Sequence, residues 1–212
     1  MARDESARRY HHGDLRAALL DQARLLLERD GADAISFRAV ARAAGVSATA
    51  PYNHFESRRD LLAALAVEGF TTLAERQRAA AATGPDGAAK LVALGRAYLD
   101  FAAHQPQLYR LMFGTGVQHW HDIPAVAAAK AASFQPIRAA ITGRHAAQGV
   151  AESTEIAALG AWSYVHGLAM LLIDGSLDRS REGVAGADLA TVALRWFIDR
   201  ADVGERSPYR ML

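Results

Sequence analysis

The stretch that decides the fold runs from residue 36 to residue 55: Ser36-Phe37-Arg38-Ala39-Val40-Ala41-Arg42-Ala43-Ala44-Gly45-Val46-Ser47-Ala48-Thr49-Ala50-Pro51-Tyr52-Asn53-His54-Phe55. Ser36 and Ser47 each stand where a hydroxyl can cap the start of a helix. Gly45 supplies the left-handed residue that ends the first of these helices. The pattern therefore predicts two short helices joined by a glycine turn, which is a helix-turn-helix.

The segments on either side extend this motif. Upstream, Asp14 can cap a helix that runs to about Asp30, where Gly31 stops it, and apolar residues recur at helical spacing between them. Downstream, Ser57-Arg58-Arg59-Asp60 has the form of a capping box at the start of another helix. These signals predict three helices followed by the start of a fourth.

This order of elements, with Tyr52-Asn53-His54-Phe55 followed by a capped basic helix start, resembles the tetracycline-repressor (TetR) family of bacterial transcription regulators. The resemblance is specific over residues 10 to 65. It implies an N-terminal three-helix DNA-binding domain with a helix-turn-helix, in residues 1–60. It also implies a C-terminal helical effector-binding and dimerisation domain in residues 61–212.

The remainder of the chain shows helical spacing with glycine and proline punctuation, and no strand-like alternation is sustained anywhere. We expect helices over about 91–104, 106–113, 124–147, 152–177 and 188–200, with the third of these bent near Pro136. The fold class predicted from the sequence is therefore all-α.

The composition is compatible with a cytosolic regulator, but it does not by itself indicate one. The chain has 212 residues, of which 51% are hydrophobic, so it can bury a sizeable core. The absence of cysteine excludes disulfides and thiolate metal sites. A net charge of +1 does not by itself indicate a nucleic-acid partner, so the placement of arginines beside the motif matters more. The polar N-terminus has no signal-peptide pattern, and we expect a cytoplasmic location.

Residues 156–173 carry no charged side chain, which raises the question of a membrane span. Ser163, Tyr164 and His166 interrupt the segment, and no basic cluster flanks it, so we expect it to be buried between protein surfaces instead. In the last helix, apolar residues from Leu189 to Phe197 follow helical spacing, which ordinary intramolecular packing would also explain. With the resemblance, the two helices together predict a homodimer through the last two long helices.

Within the long apolar helix, Trp162-Ser163-Tyr164-Val165-His166-Gly167 resembles the tryptophan-histidine-glycine (WHG) type of TetR C-terminal domain. Trp162 and His166 share one helical face, and Gly167 would permit close helix contact. We favour a packed His166, bonded to a neighbouring helix, over a ligand contact.

The expected partner is double-stranded DNA with an inverted-repeat operator. The second helix of the motif, from Ala48 to about His54, would enter the major groove, and Pro51 implies that it is short and begins near Ala48 or Thr49. The small residues there predict modest direct readout. The resemblance assigns phosphate contacts to Ser36, Tyr52, His54 and Arg58. The complete set of candidate DNA-binding residues is Ser36, Arg38, Ser47, Ala48, Thr49, Tyr52, Asn53, His54 and Arg58.

A small apolar or aromatic effector is expected in the C-terminal domain, where its binding would lower DNA affinity. The basis is a supply of aromatic and sulfur-bearing side chains, with His166 as a polar anchor. Spacing does not separate lining residues from core residues, so the candidates are a pool: Tyr98, Phe101, Met112, Phe113, Phe134, Trp162, His166 and Met170.

The sequence gives little indication of a catalytic site or a metal site. The chain has no glycine-rich phosphate loop, no nucleophile elbow and no serine, histidine and acid trio at catalytic spacing, so we expect neither an enzyme nor a cofactor. His119-Trp120-His121-Asp122 lacks an identifiable fourth ligand, and a solvated turn is favoured over a metal site. Two alternatives stay open, namely a DNA-binding regulator without a small-molecule effector and a helical enzyme.

Overall fold

The described parts of the chain are mainly α-helical. The computed structural model describes residues 15–83, 87–114, 120–149, 153–177 and 186–203, and no strand occurs among them. The prediction of an all-α fold is confirmed. The helices are α1 (Leu15–Asp30), α2 (Phe37–Ala43), α3 (Arg58–Thr83), α4 (Ala88–His104), α5 (Pro106–Phe113), α6 (Pro124–Gln148), α7 (Thr154–Ile173) and α8 (Gly186–Val203), with 3-10 helices at Ala32–Ala34, Ala50–Asn53 and Trp120–Asp122.

The first of two compact units contains the described residues up to Gly69 together with Gln107–Val126. It holds α1, α2, the first part of α3, and α5. Its core is built from apolar residues spaced at helical intervals, because one face of each helix is turned away from water. The fully buried members include Leu19, Leu27, Val40, Leu61 and Leu65, and Phe55 joins them from the connection before α3.

Two contacts hold α5 within this first unit. The carboxylate of Glu28, near the end of α1, accepts hydrogen bonds from the backbone N–H groups of Gln107 at 3.2 Å and Leu108 at 2.8 Å. These are among the donors that a helix start leaves unpaired, so Glu28 caps α5 from another helix. On the other side, a Cβ added at Gly69 would lie 2.5 Å from the sulfur of Met112, so the close approach of α5 to α3 requires glycine there.

The second unit contains Phe70–Pro106 and the described residues from Ala127 onward. In it α4 packs against α7 and α8, and a Cβ added at Gly95 of α4 would collide with Leu194 of α8. Helices α7 and α8 also contact each other. The Tyr164 hydroxyl donates to the carbonyl of Ala193 at 3.0 Å, and its ring stacks on Phe197 with 4.0 Å between centroids.

The apolar helix α7 is only partly covered by its own chain. Within the described residues it is the one helix long and apolar enough to cross a membrane, and core helices of soluble proteins meet that same criterion. Of its most apolar 18-residue stretch, 22% is buried inside the chain. Ile156, Leu159 and Leu171 are 66%, 55% and 46% exposed. Neighbouring α6 runs without interruption through Pro136.

Candidate nucleic-acid interface and ligand site

The first helix of the motif begins and ends as its sequence predicts. The Ser36 hydroxyl oxygen accepts a hydrogen bond from the Ala39 backbone N–H at 3.1 Å, which caps α2. After α2, Gly45 has a φ of 68°, in the left-handed region that favours glycine. The turn then closes with a hydrogen bond from the Val46 N–H to the Ala41 carbonyl at 3.0 Å.

The second element of the motif is shorter than predicted. Instead of a helix over residues 48–54, a 3-10 helix spans Ala50–Asn53, with Thr49 at its N-cap and no side-chain capping bond. The predicted cap by Ser47 is therefore wrong, because its hydroxyl lies 3.1 Å from the Thr49 hydroxyl instead. Pro51 explains the shortness, since proline lacks an N–H and is tolerated only near a helix start.

This short element presents one exposed face. Ser47, Ala48, Thr49 and Asn53 are exposed, whereas Ala50 and Pro51 are buried under them. Tyr52 is 66% exposed, yet its ring meets the buried Phe37 edge-on with 4.8 Å between centroids. Packing therefore holds an aromatic hydroxyl-bearing side chain at the surface in a defined position. Two more candidates border the face: His54 is half-buried and Arg38 is exposed.

Helix α3 begins beside this face with a variant of the predicted capping box. The Asp60 N–H donates to the Ser57 hydroxyl at 3.1 Å, as predicted. The return bond runs from the Glu56 N–H to the Asp60 carboxylate at 3.2 Å, so the acid reaches one residue further back than in the standard box.

Arg58, in the first turn of α3, is bonded to the connection between α1 and α2. Its Nε donates to the Ile35 carbonyl at 2.7 Å, and a terminal nitrogen donates to the Ala32 carbonyl at 2.6 Å. A guanidinium carries five N–H donors, so this pair of bonds does not use all of them. The predicted phosphate contact of Arg58 stays a prediction, and the structure adds a structural role that the sequence did not indicate.

In the second unit, four of the ligand candidates form one connected group. The Tyr98 hydroxyl lies 3.0 Å from His166 Nδ1, the Trp162 indole stacks on the imidazole with 5.0 Å between centroids, and Phe134 meets Trp162 edge-on. Burial, and then the positive charge of Lys130, lowers the pKa of His166. The imidazole is therefore neutral near pH 7 and is bonded to a neighbouring helix, which is the arrangement that the sequence favoured.

The remaining ligand candidates do not all join this group. Met112 and Phe113 belong to α5 in the first unit, where Met112 packs at Gly69 and Phe113 against Tyr109. In the second unit, Phe101 is fully buried and Met170 of α7 is half-buried. The close helix contact that Gly167 would permit is not made within the described part of this chain, since a Cβ there would meet no atom within 4 Å.

One residue in the second unit was missed by the sequence argument. Gln77 of α3 is 4% exposed, and its Oε1 has no hydrogen-bond partner. The available signal was its position, because Phe70, Leu73, Ala74 and Gln77 follow the spacing of one buried helical face.

In the segment His119-Trp120-His121-Asp122, the residue that packs against the protein is Trp120. His119 lies outside the described residues, whereas Trp120 is 9% exposed and its indole N–H donates to the Leu111 carbonyl at 3.1 Å. Among the described residues, no group of three or more His, Cys, Asp or Glu side chains is placed to hold a metal ion.

A helix-turn-helix with an exposed second element, in a chain that also builds a separate helical unit, defines a DNA-binding regulator. Residues 19–65 match the family described as bacterial regulatory proteins, tetR family, and residues 91–194 match tetracyclin repressor-like, C-terminal domain. The chain is 30% identical over 166 residues to an uncharacterized HTH-type transcriptional regulator, Rv0681 of Mycobacterium tuberculosis, an alignment covering 77% of this chain and 72% of the relative. The chain belongs to the TetR family of transcription regulators.

Two solved structures share its fold. A protein of unknown function from Rhodococcus sp. RHA1 is 35% identical, with a TM-score of 0.79 over 91% of this chain and 98% of the other. The regulator FadR from Bacillus subtilis, solved in complex with stearoyl-CoA, is 12% identical, with a TM-score of 0.71 over 86% of this chain and 97% of the other. The relatives named for a function are transcription regulators, which agrees with the expectation that this chain is not an enzyme.

Proposed function

We propose that the protein is a homodimeric repressor that binds an inverted-repeat operator and is released by a small apolar or aromatic ligand. The observation that carries the proposal is the pairing of an exposed helix-turn-helix face with a helix, α7, whose apolar surface its own chain leaves uncovered. DNA binding resides in residues 1–60, and effector binding and dimerisation reside in residues 61–212. The protein works in the cytoplasm, where its operator is found.

The proposed DNA contacts follow from exposure and chemistry. Ala48 and Thr49, with Asn53, face the base edges, where a methyl group, a hydroxyl and an amide are available for readout. The side chains that reach the phosphates are Ser36, Arg38, Ser47, Tyr52, His54 and Arg58, all of which carry a hydroxyl or a nitrogen. Such contacts make binding salt-dependent.

The proposed dimer interface is the uncovered face of α7 together with that of α8. On α7, the exposed positions 156, 159, 160, 163, 167 and 171 form one stripe at helical spacing. Gly160, Ser163 and Gly167 place small residues along its middle, so a second helix can approach closely. On α8, Val192 and Trp196 are 57% and 56% exposed. Exposed apolar side chains in such a contiguous arrangement mark an interaction surface.

The proposed effector site lies in the second unit, where Tyr98, Trp162 and His166 form the stacked and hydrogen-bonded group, and we assign this C-terminal domain to the WHG type. FadR holds stearoyl-CoA on the same fold, and that ligand is a property of FadR. Helix α3 carries residues of both units along one continuous backbone, so a ligand that favours one position of α3 also affects the start of the helix beside the DNA face. Coupling of this kind is reciprocal, and bound operator must weaken ligand binding by the same factor.

The test begins with selection of an operator from a random duplex library by the purified protein. We expect an inverted repeat, and we expect the Thr49→Ala variant to select a different half-site with similar salt dependence. A screen of apolar metabolites then measures release of the selected operator, with Trp162→Ala expected to alter ligand response more than operator affinity. Selection of a sequence without two-fold symmetry would contradict the dimer proposal. A screen in which no compound changes operator affinity would favour a regulator without a small-molecule effector.

A further inference from the structure

The second unit contains a buried amide whose oxygen has no hydrogen-bond partner. Gln77 is the one polar, non-aromatic side chain that is buried among the described residues, and its Oε1 accepts no hydrogen bond. Buried polar groups in folded proteins are nearly always bonded, since an unpaired one loses its bonds to water without replacement. An unpaired amide oxygen at this depth therefore calls for a hydrogen-bond donor that the isolated chain does not supply.

The position of Gln77 on its helix also indicates that the amide serves a partner. The other members of its helical stripe, Phe70, Leu73 and Ala74, are apolar and buried. A leucine would continue the stripe at about the same volume and would leave no polar atom unpaired. Because glutamine is the less stable choice for the ligand-free protein, its presence is explained when the amide serves binding.

The turn of α3 that carries Gln77 lies beside a turn of α4 that carries aromatic side chains. The guanidinium of its neighbour Arg76 lies 5.6 Å from the centre of the Phe101 ring, which places this turn of α3 beside the turn of α4 that carries Tyr98 and Phe101. Tyr98 in turn is bonded to His166. Apolar and aromatic walls with a few polar groups are the usual composition of a small-molecule site.

We propose that Gln77 is the polar contact of the effector site, and that the effector carries a hydroxyl group on an apolar skeleton. This inference rests on the proposed ligand-controlled release. The Oε1 atom requires a donor, and a hydroxyl supplies one and can also accept from the amide nitrogen. An ionised carboxylate has no donor to offer, and an ammonium would bring an unpaired charge into a buried site.

The first test needs no ligand. Gln77→Leu is compared with Gln135→Leu, which makes the same chemical change at an exposed position of α6. We expect Gln77→Leu to raise the melting temperature of the full chain above that of wild type, because it removes a buried unpaired amide, and we expect no rise in the control. An unchanged or lowered melting temperature for Gln77→Leu would overturn the proposal, since the amide would then have a structural partner.

The second test uses matched probes on two skeletons, measured by calorimetry with the full chain. The naphthyl set is 2-naphthol, 2-methoxynaphthalene and 2-methylnaphthalene, and the octyl set is 1-octanol, octyl methyl ether and nonane. Wild type should bind the alcohol of at least one set about tenfold more tightly than its ether, as one hydrogen bond provides. Gln77→Leu should lose that preference and Gln135→Leu should retain it. Equal binding of alcohol and ether by wild type, a preference retained by Gln77→Leu, or no binding in either set would overturn the proposal.

Operator release by the same compounds separates this inference from the function on which it rests. If the hydrocarbons release the operator equally from wild type and Gln77→Leu, ligand-controlled release stands and the role of Gln77 is refuted. If the alcohol preference depends on Gln77 but no compound changes operator affinity, the binding site stands and the proposed control of DNA binding is refuted.

Discussion

Removing the side chain of Arg58 tests how the start of α3 is fixed to the rest of the proposed DNA-binding domain. The two hydrogen bonds from its guanidinium to the carbonyls of Ala32 and Ile35 join the start of α3 to the connection before α2. Each intramolecular bond of this kind contributes about 0.5–1.5 kcal/mol net, with a central value of about 1 kcal/mol. We therefore expect Arg58→Ala to lower the free energy of unfolding by about 2 kcal/mol.

A lysine at the same position separates geometry from charge. One ammonium cannot reproduce the fork that reaches both carbonyls, so Arg58→Lys should lose about half of the stability that Arg58→Ala loses. Both variants also report on phosphate contact. Neutralising one phosphate per subunit contributes about 0.9 to the salt slope, so Arg58→Ala should reduce the slope of a dimer by about 1.8, whereas Arg58→Lys should leave it unchanged.

The assays are urea unfolding for stability and operator titration at several salt concentrations for the slope. Arg59→Ala is the matched stability control, because Arg59 is the next residue and its exposed ion pair with Asp122, at 3.9 Å, contributes between 0 and about 1 kcal/mol. If Arg58→Ala unfolds at the same urea concentration as wild type, the structural role of Arg58 is refuted. An unchanged salt slope in that variant would refute its phosphate contact.

Three further changes have expected outcomes. Ser36→Ala should lower the free energy of unfolding by about 1 kcal/mol in the urea assay, because it removes the cap of α2. The Ser47 hydroxyl caps no helix, so Ser47→Ala should change that free energy by less than about 0.5 kcal/mol. In sedimentation, Ile156→Asp should convert the dimer of two 22.7 kDa chains into a monomer. The control is Leu25→Asp, which should leave the dimer intact, since Leu25 is a comparably exposed residue of α1 (57%) away from the proposed interface. A dimer that persists with Asp at 156 would exclude this face of α7. Because the folded protein lowers the pKa of His166 from 6.5, the unfolded chain binds more protons below that pH, and stability should fall with pH from 6.5 downward. His166→Asn should flatten this dependence in melting temperatures, and an unaltered pH dependence would count against a neutral buried imidazole.

The sequence predicted the features that depend on neighbours along the chain. The cap at Ser36, the left-handed Gly45 and the Ser57 bond to Asp60 all join residues no more than three positions apart or concern a single backbone angle. Their chemistry is therefore contained in the local sequence. The local pattern failed at Ser47, where the Ala50 N–H that its hydroxyl would have accepted donates to the Ser47 backbone carbonyl at 3.0 Å instead.

Contacts between distant segments were not predictable in this way. Glu28 caps a helix about 80 positions further along the chain, and nothing in the spacing of either segment indicates that they meet. Spacing likewise did not indicate that Met112 and Phe113 lie in the first unit, whereas the other effector candidates lie in the second. Periodicity identifies which face of a helix is buried, and it does not identify the helix that covers it.

The shortness of the recognition element has a consequence for how DNA is selected. Pro51 is buried in a single 3-10 turn, and Tyr52 is constrained by its contact with Phe37. If the base edges are read by Ala48, Thr49 and Asn53, as we propose, direct readout is limited and phosphate contacts must supply much of the affinity. Phosphate contacts from two subunits are effective only when the two faces match the spacing of successive grooves. In such a protein, a ligand that changes the spacing weakens binding to every operator alike, whereas a change at Thr49 alters which operator is preferred.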